Sequence, residues 1–441
     1  VVTGKRQLRG HVMGGGFCNS RGRYPVFFAM QFDHDITSFT FQNNVARTLF
    51  SGSIGLLTAR IGISFVSERN AELNLAAENL PFSFEEIHQR ARRSWEKALS
   101  VVTLSDRAAP DVQTVFYTAL YHSLLHPNIG SDVNGEYRGF DQKVHHSPRP
   151  YYVNFSGWDI YRSQVQLLAF LFPRRAGDIA QSLILAGKAC GSLPKWALNS
   201  IETNIMSGDP GALTIANMYA FGARNFDHRL ALALIKKASL DPLASCQGHR
   251  TRFGLADLNN RGYIPEPVKK GNWSSASIML ELASADFGVS QYAYDRGEHN
   301  FARQMMARST RWRKLWDPST QLVRPRDENL RWITDFSATS QKGFMEGNSA
   351  QYTWMVPHDL STLVKVMGGG EATARRLDKF MSQTNAGQAA PHLYLGNEPA
   401  FGVPWIYLWA RKPERAQEQI RRLLTEEFKN SPGGLTGNDD L

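Results

Sequence analysis

Glu346 lies in the run Gly343-Phe344-Met345-Glu346-Gly347-Asn348-Ser349-Ala350-Gln351-Tyr352-Thr353-Trp354, which mixes an acid, amides and aromatics between two helical stretches. A carboxyl group in aromatic, poorly solvated surroundings titrates above its usual range, as a general acid working near neutral pH requires. Glu346 is therefore the candidate acid, although a glutamate read alone is far more often a capping or ion-paired one. A second loop carries His392, Tyr394 and then Gly396-Asn397-Glu398-Pro399. Its amide and carboxylate are hard oxygen donors of the kind calcium prefers; the same residues also read as a turn entering a helix. A third, Gly434-Leu435-Thr436-Gly437-Asn438-Asp439-Asp440, sets two carboxylates on a glycine-flanked loop. Such a loop can hold a carboxylate against a water molecule or be a solvated acidic turn. In Phe155-Ser156-Gly157-Trp158-Asp159-Ile160-Tyr161-Arg162, Trp158 and Asp159 offer the floor and hydroxyl-binding edge of a sugar site, or a helix start with an Asp–Arg pair. The loops at 191–196 and 206–210 add Trp196 and Asp209 as contacts, beside the plainer reading of both as turns.

The elements that must position these residues change character along the chain. From residue 14 to about 66, runs such as 24–32, 36–41 and 59–66 place β-branched and aromatic residues between Gly and Asn breakers, which predicts strands. So few strands seldom form a domain alone, so they are expected to end a larger β-domain that begins before Val1. At Ser83-Phe84-Glu85-Glu86 an N-cap and acidic first turn open a helical period through Ile87, Ala91, Trp95, Ala98 and Leu99. Helices are then expected at 111–125, 160–171, 178–189, 213–222, 277–296, 298–314, 360–366, 371–382 and 413–428. Paired helices joined by aromatic-rich loops suggest a helical toroid or stacked array. No repeat of fixed period marks a solenoid.

Composition narrows the partners. The 441 residues are 42% hydrophobic and 20% charged, with 25 Phe, 14 Tyr and 10 Trp, a globular balance. The net charge of +10 could signal nucleic acid, but the basic residues are scattered, the densest cluster being Arg90, Arg92 and Arg93, and read as a solvated face. No apolar run is long enough to span a membrane. Cys18, Cys190 and Cys246 allow one disulfide with a spare thiol, or three free thiols. The first ten residues carry neither an initiator Met nor a signal peptide, so the sequence reads as cut at its front, with any export signal missing.

In this order and spacing the motifs resemble glycoside hydrolase family 92, the calcium-dependent exo-α-mannosidases. The likeness runs through residues 60–66, 70–80, 116–122, 158–162, 262–265, 277–287, 346–348, 351–359, 396–399 and 437–440. It implies a mainly α fold: residues 1–80 as the end of a β-sandwich with its linker, and 81–441 as an (α/α)6 toroid incomplete at its C-terminus. It also implies a secreted enzyme that removes terminal α-mannose from glycans with inversion, through acid and base roughly 6.5–9.5 Å apart. By position Glu346 matches the general acid, Asp440 with Asp439 the general base, and Asn397 and Glu398 the Ca2+ ligands. Trp158 and Asp159 match the mannose pocket; Trp196, Asn348, His392 and Tyr394 complete the expected sugar contacts, and His358-Asp359 fall in a motif without assigned roles. Ala350 stands where many members have Trp. Members selective for α-1,2 links carry a His-Glu pair where this chain has Leu393 and Tyr394, so α-1,3, α-1,4, α-1,6 and mannosyl phosphodiester links stay open.

Overall fold

The computed structural model describes residues 1–78, 83–267 and 274–436 and divides into two compact units. The first comprises Val1–Thr103, Pro127–Asn154 and Ala197–Thr203. Its sheet orders β1 (Val2–Gly4), β2 (Gln7–Gly15), β3 (Arg23–Phe32) and β6 (Ala59–Ser64) as antiparallel neighbours, and β4 (Ile36–Gln42) pairs with β5 (Val45–Phe50) in a hairpin. Helix α1 (Glu68–Glu78) lies on this sheet, with Ala29, Ala71 and Leu75 forming a small core against Phe27. Gly62 permits that approach: a Cβ there would stand 2.4 Å from the Ala71 carbonyl oxygen. Beyond the helix start, Asp132 accepts hydrogen bonds from Ser64, Asn70 and Asn74, each at 2.7 Å, tying α1 to the 127–154 segment.

Helix α2 (Phe84–Leu99) starts at the predicted capping box, where Ser83 and Glu86 exchange hydrogen bonds. It belongs to the first unit, so the change of sequence period near residue 81 does not mark where packing divides. Three-dimensional clustering instead runs to Thr103 and recruits two later segments.

The second unit comprises Leu104–His126, Phe155–Trp196 and Asn204–Leu441, and is helical. It contains α3 (Pro110–Ser123), α4 (Gly157–Ile160), α5 (Gln164–Leu171), α6 (Pro173–Cys190), α7 (Pro210–Ala220), α8 (His228–Leu240), α9 (Leu255–Arg261), α10 (Ser275–Asp295) and α11 (His299–Ser309). There follow α12 (Ser349–Tyr352), α13 (Leu360–Val366), α14 (Gly370–Phe380), α15 (Ile406–Trp409) and α16 (Pro413–Glu426). Helix α10 is buried almost all round and packs on α7 and α11, so its sequence shows no polar stripe. The helix expected over 160–171 breaks after Ile160, where Ser163 leaves helical backbone (φ −163°, ψ −34°), and Tyr161 and Arg162 reach Glu281 of α10. The one expected over 298–314 tightens into a 3-10 turn at Thr310–Leu315.

Buried charges brace this unit. Arg252, fully buried, bonds Asp209 at 2.6 Å and Asp286 at 2.5 Å, and Arg308 holds Asp286 from the other side at 2.6 Å. Burial pushes the Asp286 carboxyl upward, but the two guanidiniums outweigh it and hold the pKa below the usual range. A disulfide joins Cys190 at the end of α6 to Cys246, leaving Cys18 as an exposed thiol. Of the alternatives open in the sequence, one disulfide with a spare thiol is the one formed.

Candidate active site

Glu346 lies in left-handed backbone, with φ 50°. That conformation costs a residue with a Cβ about 1 kcal/mol or more, so neighbours must impose it. Three do so. Ser277 Oγ of α10 accepts from Met345 N at 2.8 Å, Tyr352 Oη of α12 donates to Met345 O at 2.6 Å, and Asn397 Nδ2 donates to Glu346 O at 2.9 Å. The Glu346 side chain is exposed, so the desolvated surroundings expected for it are not supplied by the protein alone. The desolvated group is Tyr352 behind it. Burial raises its phenol pKa above the usual range; the charges of Glu281 and Glu346 add to this, while Ser277 and Arg162 oppose it.

Asn397 and Glu398 are 5% and 4% exposed and open a short 3-10 turn, Glu398–Ala400. While Asn397 Nδ2 is spent on Glu346, its Oδ1 is buried with no hydrogen-bond partner among the described residues. A buried amide oxygen left unbonded costs about 1–3 kcal/mol, and a hard cation is one partner that would recover it. Among the described residues no group of three or more His, Cys, Asp and Glu is assembled. Asn397 Oδ1 and the Glu398 carboxylate are both hard oxygen donors, of the kind an oxygen-seeking ion such as calcium prefers.

Glu398 also faces a cavity of ≈ 230 Å³, whose lining includes Tyr161, Arg162, Trp354, His358 and Phe401. Arg162 enters it from a buried ion pair: Nη2 lies 2.5 Å from Glu281 Oε1, and Tyr161 Oη donates to Glu281 Oε2 at 2.6 Å. The guanidinium sits 4.4 Å over the Trp158 ring. His358 is held between Ser284 Oγ and the Ser309 carbonyl, and burial lowers its pKa, which keeps the ring neutral. Asp359 binds Trp312 and Arg313, so this motif is framework.

The other expected contacts are placed unevenly. Trp158 is fully buried beneath Arg162, so it supports the cavity wall and does not present the open aromatic face expected of it. Asp159 Oδ2 accepts from Trp196 Nε1 at 3.3 Å, and the two are 2% and 6% exposed. Asn348 is corrected to a scaffold role: its Nδ2 donates to Gln388 O and Ala390 O, both at 2.8 Å, and its Oδ1 caps α12. His392 is turned away, with Nδ1 3.1 Å from Lys379 O and 3.2 Å from Ser382 Oγ. Tyr394 lies beside Asn397 in a small recess with Gln351 and Tyr352. Asp209 caps α7 and pairs with Arg252, so the turn reading holds there. Asp439 and Asp440 lie outside the described residues. Sequence reasoning missed Ser277, Tyr352 and Glu281; only Glu281 left a signal, as a lone charge within the apolar run 278–283.

The glycosyl hydrolase family 92 catalytic domain matches residues 70–441. An uncharacterized secreted glycosidase of Arthroderma benhamiae is 25% identical over 423 residues, covering 87% of this chain and 49% of that protein. A family GH92 α-mannosidase of Bacteroides thetaiotaomicron superposes over 100% of this chain and 60% of its own, with a TM-score of 0.88 and 26% identity. A second structure of that enzyme, in complex with mannoimidazole, gives 0.87 at 24% identity, covering 100% of this chain and 61% of its own. An inverting mannosidase of the same bacterium gives 0.87 at 23%, covering 99% and 63%, and at that identity shows the fold alone. The chain thus spans about half to three-fifths of the length of these relatives. With its catalytic-domain match running from residue 70 to residue 441, the chain belongs to glycosyl hydrolase family 92.

Proposed function

We propose that this chain carries the catalytic machinery of a secreted, calcium-assisted exo-α-mannosidase that acts with inversion and whose second unit is an (α/α)6 toroid. The observation that carries the reading is the bond from Asn397 Nδ2 to Glu346 O, which couples the acid candidate to a buried, unpartnered amide oxygen. Family membership, a mannosidase neighbour and a relative named as secreted support it. The Cys190–Cys246 disulfide suits an oxidising compartment.

Under this reading Glu346 donates a proton to the departing glycosidic oxygen, and its exposed carboxyl loses water only when a sugar covers it. Asp440, with Asp439 beside it, takes a proton from the water that attacks the opposite face of the anomeric carbon. Asn397 Oδ1 and the Glu398 carboxylate would hold calcium, which when bound supplies a fixed positive charge for orienting sugar hydroxyls. Arg162, Tyr161 and Glu281 keep the cavity wall rigid.

The test is hydrolysis of linkage-defined mannobioses by the full-length protein, followed by NMR. β-Mannose appears first if the reaction inverts; α-mannose first would overturn inversion. Glu346→Gln is expected to lose about 10²–10⁴-fold in kcat on substrates with poor leaving groups, and much less on activated aryl mannosides. Equal losses on both would remove Glu346 from the acid role.

A further inference from the structure

Four successive peptide units run from Gly343 through Glu346 to Gly347, and a hydrogen bond ties each of them. Ala276 N and Ser277 N, first-turn amides of α10, both donate to Gly343 O, at 3.0 and 3.2 Å. Met345 N donates to Ser277 Oγ at 2.8 Å. Tyr352 Oη donates to Met345 O at 2.6 Å, and Asn397 Nδ2 to Glu346 O at 2.9 Å. A peptide unit is planar and turns as a block, so the chain has two soft dihedrals at each Cα. Tyr352 holds the unit that enters Glu346, and Asn397 the unit that leaves it. Between them they set φ and ψ at that Cα, and so the direction in which its side chain leaves the backbone. The two holds differ in what else they do. Asn397 is also the proposed calcium ligand, so a change there disturbs two functions at once. Tyr352 is fully buried, its ring centroid 5.5 Å from that of Phe344, and a Cβ on Gly347 would stand 3.1 Å from the ring. These contacts keep the ring in place with or without its hydroxyl. Burial raises the phenol pKa, so the hydroxyl keeps its proton and remains a donor near neutral pH.

We propose that Tyr352 is a positioning residue whose hydroxyl aims the Glu346 carboxyl at the departing glycosidic oxygen, by fixing the peptide unit between Met345 and Glu346. This rests on the functional reading above. The backbone at Glu346, with φ 50°, is strained, so removing the hydroxyl takes away what holds that unit against rotation to an easier conformation. A displacement of about 1 Å at a reacting group is enough to cost about 10²-fold in rate. In the full-length protein, Tyr352→Phe is expected to lower kcat about 10–100-fold on mannosides with poor leaving groups. KM should change by less than about twofold, because the hold acts on the proton donor and not on sugar binding. Activated aryl mannosides, which leave without a proton, should be little affected.

A double-variant cycle separates positioning from mere bracing. In a Glu346→Gln background, Tyr352→Phe should have no further effect on kcat, since it acts through the group already removed. A tyrosine that only braced the fold would lower both classes of substrate alike and multiply its loss with that of Glu346→Gln. Ser277→Ala frees the preceding peptide unit and should show the same leaving-group pattern with a smaller loss, so the cycle can be run on it if Tyr352→Phe does not fold. In an active wild type, an unchanged kcat, equal losses on both substrate classes, or losses that multiply with Glu346→Gln would overturn this inference alone. A wild type that hydrolyses no α-mannoside, or a Glu346→Gln that is itself indifferent to the leaving group, would overturn the functional reading instead.

Discussion

Replacing Glu281 with Gln should be among the most damaging single-atom changes in the helical unit. Glu281 and Arg162 have side chains 2% and 7% exposed, and the carboxylate bonds both Arg162 Nη2 and Tyr161 Oη. Burial opposes the charge on Arg162, and Glu281 more than offsets it, so the guanidinium pKa lies above its usual value. With Gln in place the amide can still accept from Tyr161, but Arg162 is left charged, its Nε already without a hydrogen-bond partner among the described residues. Two routes give the cost. Charges about 4 Å apart interact by about 4 kcal/mol at an effective dielectric near 20. Removing one member of a buried pair elsewhere costs about 3–5 kcal/mol. The ring faces of Trp158 and Tyr161, at 4.4 and 4.6 Å, and water in the adjoining cavity return part of this, so we expect about 3 kcal/mol. The assay is urea unfolding followed by a signal of the helical unit, with midpoint and slope compared between variants. Replacing both partners, as Arg162→Met with Glu281→Leu, should cost less than Glu281→Gln alone, because no charge is then stranded. A loss below about 1 kcal/mol in Glu281→Gln, or a double variant worse than the single, would refute the argument.

Two further outcomes follow. Asn397→Leu removes both the unpartnered oxygen and the bond to Glu346, so calcium affinity by calorimetry should fall at least about tenfold while the metal-free melting temperature changes little; unaltered affinity would remove Asn397 from the ligand set. His126 accepts from Ser156 N at the start of α4, and burial lowers its pKa from 6.5 to about 4. The unfolded chain therefore takes up a proton from pH 6.5 downward that the folded chain refuses until about pH 4. Stability is full above pH 6.5 and falls by up to about 1.4 kcal/mol per pH unit through that window, a slope that His126→Gln should reduce and whose persistence would exclude His126 as the cause.

How legible this molecule is from its sequence depends on whether a signal is local. The capping box at Ser83 and the strands at 23–32 and 59–64 were readable because propensity and pattern act within a few residues. Strand β2 was missed because three glycines interrupt Gln7–Gly15, and its pairing with β3 supplies what its own text lacks. Helix α8 was missed although Asp227 caps it, since its apolar face is set by contact with α6. At the candidate site, Glu346, Asn397 and Glu398 were singled out by type and neighbourhood, and the structure joins the first two through one hydrogen bond. The neighbours of Trp158, Asn348 and His392 were not legible in the sequence, for a shared reason. A side chain's type shows what it can bond, but not whether the protein has already used that capacity, as Arg162, Gln388 with Ala390, and Lys379 do. Glu427 accepts from Thr384 and Thr436, 43 and 9 positions away, beyond any local pattern.

The left-handed backbone at Glu346 sets durability against turnover at one position. Glycine would adopt φ 50° without the strain, and asparagine with less of it, so both would favour persistence of the fold. Selection for robustness alone would therefore erode this glutamate first, and a lineage that no longer needed to cleave its substrate would be expected to carry glycine or asparagine there. A glutamate held in a conformation that other residues fill more comfortably is what the proposed proton donor would require, at the expense of a sturdier loop.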